Sequence, residues 1–207
     1  MRNIGALFDS ELRMDTQVKS MCRNAWLNLY NIGKIRNYLT VEQTKTVVHA
    51  YVTSKLDANN ALLAGITSDL KSQLQRVQNA ASKLITKTKK HDHATPLLYN
   101  LHWLPVEDRI VFKILLLTFK ALNKVGPVYL KDLFTGYKPP RTLRSSDDFL
   151  ALSIPRTTLV TYGDRAFSVA AACEWNKLPL HIRSSASTIS FKSQLKTHLF
   201  EKRYKRK

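Results

Sequence analysis

The sequence contains few cysteines, glycines and prolines, and each shortage excludes a class of protein. Its two cysteines, Cys22 and Cys173, lie far apart without zinc-ligand spacing, which predicts free thiols in a reducing compartment rather than a disulfide scaffold. Six glycines and seven prolines among 207 residues predict few sharp turns, and 44% hydrophobic residues exclude a disordered tail. The long apolar run at residues 110–119 is about half a bilayer span, so no membrane passage is expected. A helical, intracellular protein of the nucleus or cytoplasm is favoured.

Acidic residues are scarce as well. The chain has 33 Lys and Arg against 15 Asp and Glu, which gives a formal net charge of +18. On so small a protein this charge repels itself unless a polyanion screens it, and a phosphate backbone is the obvious polyanion. RNA or DNA is therefore the expected partner, and a soluble protein with a lysine-rich surface is the alternative.

Hydrophobic spacing predicts helices along the first half of the chain. A short strand at residues 4–10 and a helix within residues 13–35 are expected, and a capping box from Thr40 to Gln43 begins the next helix. The clearest amphipathic helix is predicted over residues 68–90. Opposite its apolar stripe, a narrow arc holds four basic residues: Arg76, Lys83, Lys87 and Lys90. This arc is a candidate phosphate-binding face, and a solvated helix face would show the same pattern.

A buried helix is predicted at residues 110–119, which are apolar nearly all round. Before it, Thr95 and Pro96 fit the cap and first residue of a short helix, and Glu107 and Asp108 suit the first turn of the buried one. Shorter helices are expected at residues 127–134 and 166–177. A last helix at residues 190–203 would bury a stripe of Phe191, Leu195 and Leu199.

Between these helices, residues 135–148 have the composition of an extended basic loop, and residues 150–162 predict at most a short edge strand because of Pro155. Arginine recurs in this irregular region, where both backbone and side chains can reach phosphate. Its candidate nucleic-acid-binding residues are Arg141, Arg144, Arg156 and Arg165.

Short motifs follow one another in a fixed order along nearly the whole chain. The longest is KKHDHATPLLYNLHWLPVEDRIVFKILLLTFK at residues 89–120. It is preceded by LFDS (7–10), IRNYL (35–39), SKLD (54–57) and LQRVQNAA (74–81), and followed by LRSS (143–146), IPR (154–156), YGDRAFS (162–168), WN (175–176), LP (178–179), FK (191–192) and LKTHLF (195–200). This ordered series resembles the C-terminal region of reverse transcriptases encoded by non-LTR (LINE-type, jockey-like) retrotransposons.

The resemblance implies a mainly α protein with a helical thumb-like bundle, a basic, partly irregular segment and C-terminal helices. Residues 1–10 would be the end of a palm, 11–134 a thumb-like helical domain, 135–165 a basic linker, and 166–207 a C-terminal helical segment with a basic tail. In that family such helices hold the template, primer or RNA while the palm performs the chemistry. RNA or DNA and the palm of a full-length enzyme are thus the implied partners.

No catalytic constellation is present in the sequence. The family's polymerase chemistry requires paired carboxylates that hold magnesium ions between apolar strands, whereas the pair Asp147 and Asp148 lies in a Ser- and Arg-rich loop. We therefore nominate no catalytic residue, no metal ligand and no cofactor, and expect magnesium only at the missing palm. The histidines at 91, 93 and 102 are interpreted as side chains of a basic turn rather than as a metal cluster, and Trp103 and Trp175 as core residues.

The predicted function is that of a non-catalytic C-terminal fragment of an RNA-directed DNA polymerase that binds nucleic acid through basic helices. Two alternatives stay open at this point. The chain could be an inert or domesticated relic that serves as a protein-interaction module and exposes apolar surface that once docked on a palm; aggregation or a protein partner would favour this alternative. It could also be the end of a longer, intact reverse transcriptase.

Overall fold

The computed structural model describes residues 1–137 and 150–205. Of these residues 66% are helical and 3% are in strands, which confirms the predicted mainly α fold. The chain divides into two compact units, Met1–Ile110 and Val111–Lys207. The loop candidates Arg141 and Arg144, like Asp147 and Asp148, lie outside the described residues.

The first unit begins with a small hairpin rather than the single strand expected at residues 4–10. Strands β1 (Arg2–Asn3) and β2 (Ala6–Leu7) pair antiparallel. The reason is the turn between them, because Ile4 and Gly5 both have positive φ values, 45° and 80°. Such values at both central residues give the turn whose twist suits a two-residue hairpin.

Helices α1 (Asp15–Ile35) and α4 (Ser68–Thr86) form the main packed pair of the first unit. Each presents an apolar stripe at helical spacing: Val18, Ala25, Leu29 and Ile32 on α1, and Leu70, Leu74, Val77, Ala81 and Ile85 on α4. Each fully buried Val, Leu or Ile contributes about 1.5–3 kcal/mol relative to an exposed one. The helix predicted within residues 13–35 is thereby confirmed.

Helix α2 (Val41–Val48) starts with the predicted capping box. The Thr40 hydroxyl accepts a hydrogen bond from the Gln43 amide, and the Gln43 side chain accepts one from the Thr40 amide at 2.9 Å. A single π-helical turn, His49–Thr53, then joins α2 to the short helix α3 (Ser54–Asp57). A 3-10 turn at Arg36–Tyr38 precedes α2, and another follows α3 at Asn60–Leu63.

Helix α4 ends at Thr86, four residues before the predicted end at residue 90. Lys87 adopts a left-handed conformation with φ of 54°, and the amides of Lys87 and Thr88 both donate to the Lys83 carbonyl. This arrangement is a helix C-cap, so Lys87 and Lys90 do not continue the helical face predicted for them.

Helix α5 (Ala94–Asn100) starts two residues earlier than expected, with His93 at the N-cap in place of Thr95. Helix α6 (Val106–Leu122) carries Glu107 and Asp108 in its first turn, as predicted. Six of the ten residues at positions 110–119 are buried and none is exposed, which confirms this stretch as a buried helix.

In the second unit, α7 (Val128–Lys131) follows Pro127, and α8 (Val160–Gly163) is a short helix within a region predicted to be irregular. The predicted helices near its end are α9 (Phe167–Asn176) and α11 (Thr188–Tyr204), with the short α10 (Leu180–Arg183) between them. Phe191 lies in the core, with its ring centroid 4.2 Å from that of Phe119 and 6.0 Å from that of Trp175. Phe191, Leu195 and Leu199 are buried as predicted.

Candidate nucleic-acid interface

The basic residues predicted to form one arc on α4 occupy two places in the structure. Arg76 is exposed in the middle of α4, and Lys83 is half-buried in its last turn. Lys87 and Lys90 follow the helix end and are exposed. Because Lys87 turns the chain out of the helix, the predicted continuous arc of four residues is wrong, and three of the four cations lie at the end of α4, apart from Arg76.

The end of α4 carries a compact basic cluster formed by Lys83, Lys87, Lys89 and Lys90, which we call the α4 basic turn. The Lys83 ammonium donates to the Lys90 carbonyl at 2.6 Å, which folds the turn back onto the helix. The Asp92 carboxylate accepts the Lys89 amide at 3.1 Å. Cations at a helix C-terminus are favoured by the carbonyl ends of the helix dipole, so this position tolerates several lysines together.

Arg36 holds the helix end from inside the protein. Its side chain is buried, with 5% exposed, and donates to the carbonyls of Leu84 and Ile85 at 2.8 Å each and to that of Leu39 at 2.9 Å. The carbonyls of the last helical turn have no partner within the helix. Arg36 therefore completes α4 where the α4 basic turn begins, and its own charge is not presented to a ligand.

Two glutamines of the motif LQRVQNAA fix the connection between α5 and α6 onto α4. Gln78 is fully buried and donates through Nε2 to the Leu104 carbonyl at 2.8 Å. Gln75 donates to the Gln78 side chain and accepts the Val106 amide through Oε1 at 3.0 Å. Motifs that are separate in sequence thus contact each other, and these polar side chains position backbone rather than a ligand.

A partly buried ion pair joins two further motifs of the first unit. Asp57 accepts a hydrogen bond from Arg109 Nη2 at 2.7 Å through Oδ2. Burial lowers the pKa of Arg109, and the Asp57 charge opposes that shift. Lys71 and Glu107 form a more exposed pair at 2.8 Å. The Arg109 guanidinium is therefore engaged in an ion pair within the protein.

In the second unit the structure describes two of the four arginines predicted to bind nucleic acid, Arg156 and Arg165. The residues next to them in sequence, Thr157 and Asp164, contact each other. The Thr157 hydroxyl donates to the Asp164 carboxylate at 2.8 Å, so Arg156 and Arg165 flank one contact. A Cβ added to Gly163 would lie 2.6 Å from Thr157 Cβ, so this approach requires glycine. Arg156 is exposed, whereas Arg165 is half-buried and has a partner.

A cavity of about 530 Å³ opens beside the N-terminal hairpin, α1 and α3. Gln17 Oε1 accepts the Leu7 amide at 2.8 Å, and Asn59 Nδ2 donates to the Ile4 carbonyl at 3.3 Å. Its polar lining therefore serves largely to hold the hairpin in place.

The structure also gives the positions of the metal-ligand, tryptophan and cysteine candidates. In the part of the chain that the structure describes, no group of three or more His, Cys, Asp or Glu side chains could hold a metal ion. Trp175 is 1% exposed and donates through Nε1 to the Leu150 carbonyl at 2.9 Å, which confirms it as a core residue. Trp103 is half-buried. Cys22 and Cys173 are both free thiols.

One surface was not identified from the sequence. Helix α1 exposes a row of cationic and apolar side chains opposite its buried stripe, which we call the outer face of α1: Lys19, Arg23, Trp26, Leu27, Tyr30 and Lys34. At about 100° per residue, these six side chains fall within an arc of roughly 100°. That arc could have been found by the periodicity analysis that was applied to α4.

Comparison of the chain with protein-family models, with curated protein sequences and with solved structures found no match. Across residues 1–137 and 150–205, no helix combines the length and apolar character needed to cross a membrane.

Proposed function

We propose that this chain is the thumb and C-terminal region of a non-LTR reverse transcriptase, and that it holds a template-primer duplex or RNA without catalysing polymerisation by itself. The order of the sequence motifs supports the family. Its partners would be RNA or DNA and the palm of the complete enzyme. No cofactor is assigned to this chain, because magnesium would act at the palm.

The observation that carries the proposal is the composition of the α4 basic turn. Residues 83–93 contain four lysines and two histidines against one carboxylate, Asp92. The turn follows a helix end that Arg36 holds through two hydrogen bonds, to the carbonyls of Leu84 and Ile85, so its lysines start from a fixed backbone. Ordered cations on an exposed turn suit binding to phosphates, which lie along any nucleic acid regardless of sequence.

The contacts between motifs give further support. Arg36 of IRNYL binds the carbonyls at the end of α4, Gln75 and Gln78 of LQRVQNAA bind the connection before α6, and Asp57 of SKLD binds Arg109. These contacts account for the polar residues of the motifs as parts of one folding unit. A binding role is then left to exposed cations outside these contacts, such as Lys87 and Lys90.

The test is the salt dependence of binding to a short fluorescein-labelled DNA duplex, measured by fluorescence anisotropy between about 50 and 200 mM salt. Each lysine that neutralises a phosphate contributes about 0.9 to the slope of log affinity against log salt concentration on B-form DNA. We expect Lys87→Gln and Lys90→Gln each to flatten the slope by about that amount, with little dependence on base sequence.

The matched control is Lys192→Gln, because Lys192 is exposed on α11 and its substitution removes the same charge. Lys71 is a poorer control, since its ammonium pairs with Glu107. An equal slope change in the control and in the α4 variants would show a diffuse basic surface and would remove the residue-level basis of the proposal. Absence of duplex and RNA binding by the unmodified protein would contradict the function itself.

A further inference from the structure

The outer face of α1 has a composition that the fold does not require. Helix α1 already buries a full stripe on its opposite side, yet Trp26, Leu27 and Tyr30 are 47%, 59% and 64% exposed. Large apolar side chains in a contiguous exposed row mark a binding surface more often than a solvated one. The row is continuous because, apart from the adjacent Trp26 and Leu27, successive members are three or four residues apart, and such side chains are neighbours on a helix.

The charges on this face identify the chemistry of its occupant. Lys19, Arg23 and Lys34 are exposed on it, and the acidic residue of α1, Asp15, lies in the first turn. The Lys34 ammonium sits 4.5 Å from the centroid of the Tyr30 ring, so a cation and an aromatic ring are already held together. Two cations before an apolar group and one after it suit a flexible polyanion with apolar faces of its own.

We infer that the outer face of α1 binds single-stranded nucleic acid, with bases stacked on Trp26 and Tyr30 and with phosphates at Lys19, Arg23 and Lys34. Aromatic rings on a convex helix can stack on bases that are unpaired, whereas a duplex hides the faces of its bases. A protein partner fits less well, because lysine is depleted at protein interfaces and two of the three cations on this face are Lys19 and Lys34. This inference rests on the proposed function, to which it adds a single-stranded partner.

The length of the face sets the size of the site. Fifteen residues separate Lys19 from Lys34, and at about 1.5 Å rise per residue they span roughly 22 Å. At about 3.4 Å per stacked nucleotide, this length accommodates about six nucleotides. An oligothymidylate of somewhat greater length is therefore a suitable probe, because it has little self-structure.

The experiment measures binding of labelled oligothymidylate by anisotropy, and quenching of tryptophan fluorescence by the unlabelled strand. We expect Trp26→Ala and Tyr30→Ala each to weaken affinity by roughly 5- to 150-fold, the range for loss of one stacked base. Tyr30→Phe should retain affinity, because it keeps the ring. Quenching should disappear in Trp26→Phe, since Trp175 is buried and Trp103 is half-buried.

Two controls separate stacking from charge and from folding. Tyr129→Ala removes a tyrosine that is 66% exposed in the second unit and should leave affinity unchanged. An abasic strand of equal length and charge should bind far more weakly than oligothymidylate. Thermal melting of each variant establishes that it is folded.

Equal effects of Trp26→Ala and Tyr129→Ala, or equal affinity for the abasic strand, would overturn the inference. So would self-association of the protein that Trp26→Ala abolishes, because the face would then be a contact between copies of this chain. Duplex binding that still depends on Lys87 and Lys90 would leave the proposed function standing in each of these cases. Loss of both duplex and single-strand binding would remove the proposed function as well.

Discussion

Replacing Arg36 should destabilise the first unit more than the loss of most surface arginines would. In Arg36→Met a side chain of similar length remains, but the three donors to Leu84, Ile85 and Leu39 are removed. The bond to Ile85 is buried, and the other two are partly buried. A buried acceptor without a partner costs about 1–3 kcal/mol, and carbonyls that can reach water cost less.

The expected magnitude follows from these three bonds. Loss of the buried bond contributes about 2 kcal/mol, and loss of the two partly buried bonds together contributes about 1–2 kcal/mol. We therefore expect the free energy of unfolding to fall by about 3–4 kcal/mol in Arg36→Met. Arg36→Lys keeps the charge at the helix C-terminus, but one ammonium cannot reach three diverging carbonyls, so it should recover less than half of the loss.

Urea unfolding followed by circular dichroism gives the free energy, and limited trypsin digestion reports on the helix end. Cleavage after Lys87, Lys89 and Lys90 should accelerate in Arg36→Met, since the end of α4 would fray. Two results would refute the reasoning. One is a change in unfolding free energy below about 1 kcal/mol for Arg36→Met, and the other is full stability in Arg36→Lys, which would mean that charge alone suffices.

Three further predictions concern single positions. Gly163→Ala should destabilise the second unit by about 1–3 kcal/mol, because its Cβ would meet Thr157, and the effect should be smaller in a Thr157→Gly background when both are measured by urea unfolding. Asp57→Asn should lower the free energy of unfolding by about 2 kcal/mol in the same assay, because it leaves the mostly buried Arg109 without a counter-charge. Lys71→Met, at the more exposed pair with Glu107, should lower it by less than about 1 kcal/mol. Burial raises the pKa of the Cys22 thiol, so at mildly alkaline pH a thiol reagent should label half-buried Cys173 first and Cys22 after addition of urea; equal rates would contradict this.

The elements that could be predicted from the sequence are those whose determinants lie within a few residues of one another. The capping box needs only Thr40 and Gln43, and the buried stretch at 110–119 needs only its own apolar composition. The end of α4 was misplaced because its determinant is distant. Arg36 binds a carbonyl 48 residues along the chain, and no local pattern in residues 68–90 indicates that contact.

The candidate site was predictable in part for the same reason. Arg76 and Lys83 lie on α4 as expected, but the left-handed backbone at Lys87 takes Lys87 and Lys90 off the helix. Lysine has no special tendency toward positive φ, so its own side chain gives no warning of this turn. The outer face of α1 was predictable as well, because helical periodicity within Asp15–Ile35 separates it from the apolar stripe that packs against α4.

The π-helical turn at His49–Thr53 determines the direction around the helix axis in which each residue of the following helix α3 points. A π turn contains about one residue more than an α turn, and each residue advances the chain by about 100° around the axis. Without that additional residue, Asp57 would be displaced by about a quarter of a turn and would point away from Arg109. The ion pair between Asp57 and Arg109 therefore depends on the helical register that the π turn sets. Insertion or deletion of one residue within His49–Thr53 would separate the two side chains, although neither of them had been substituted.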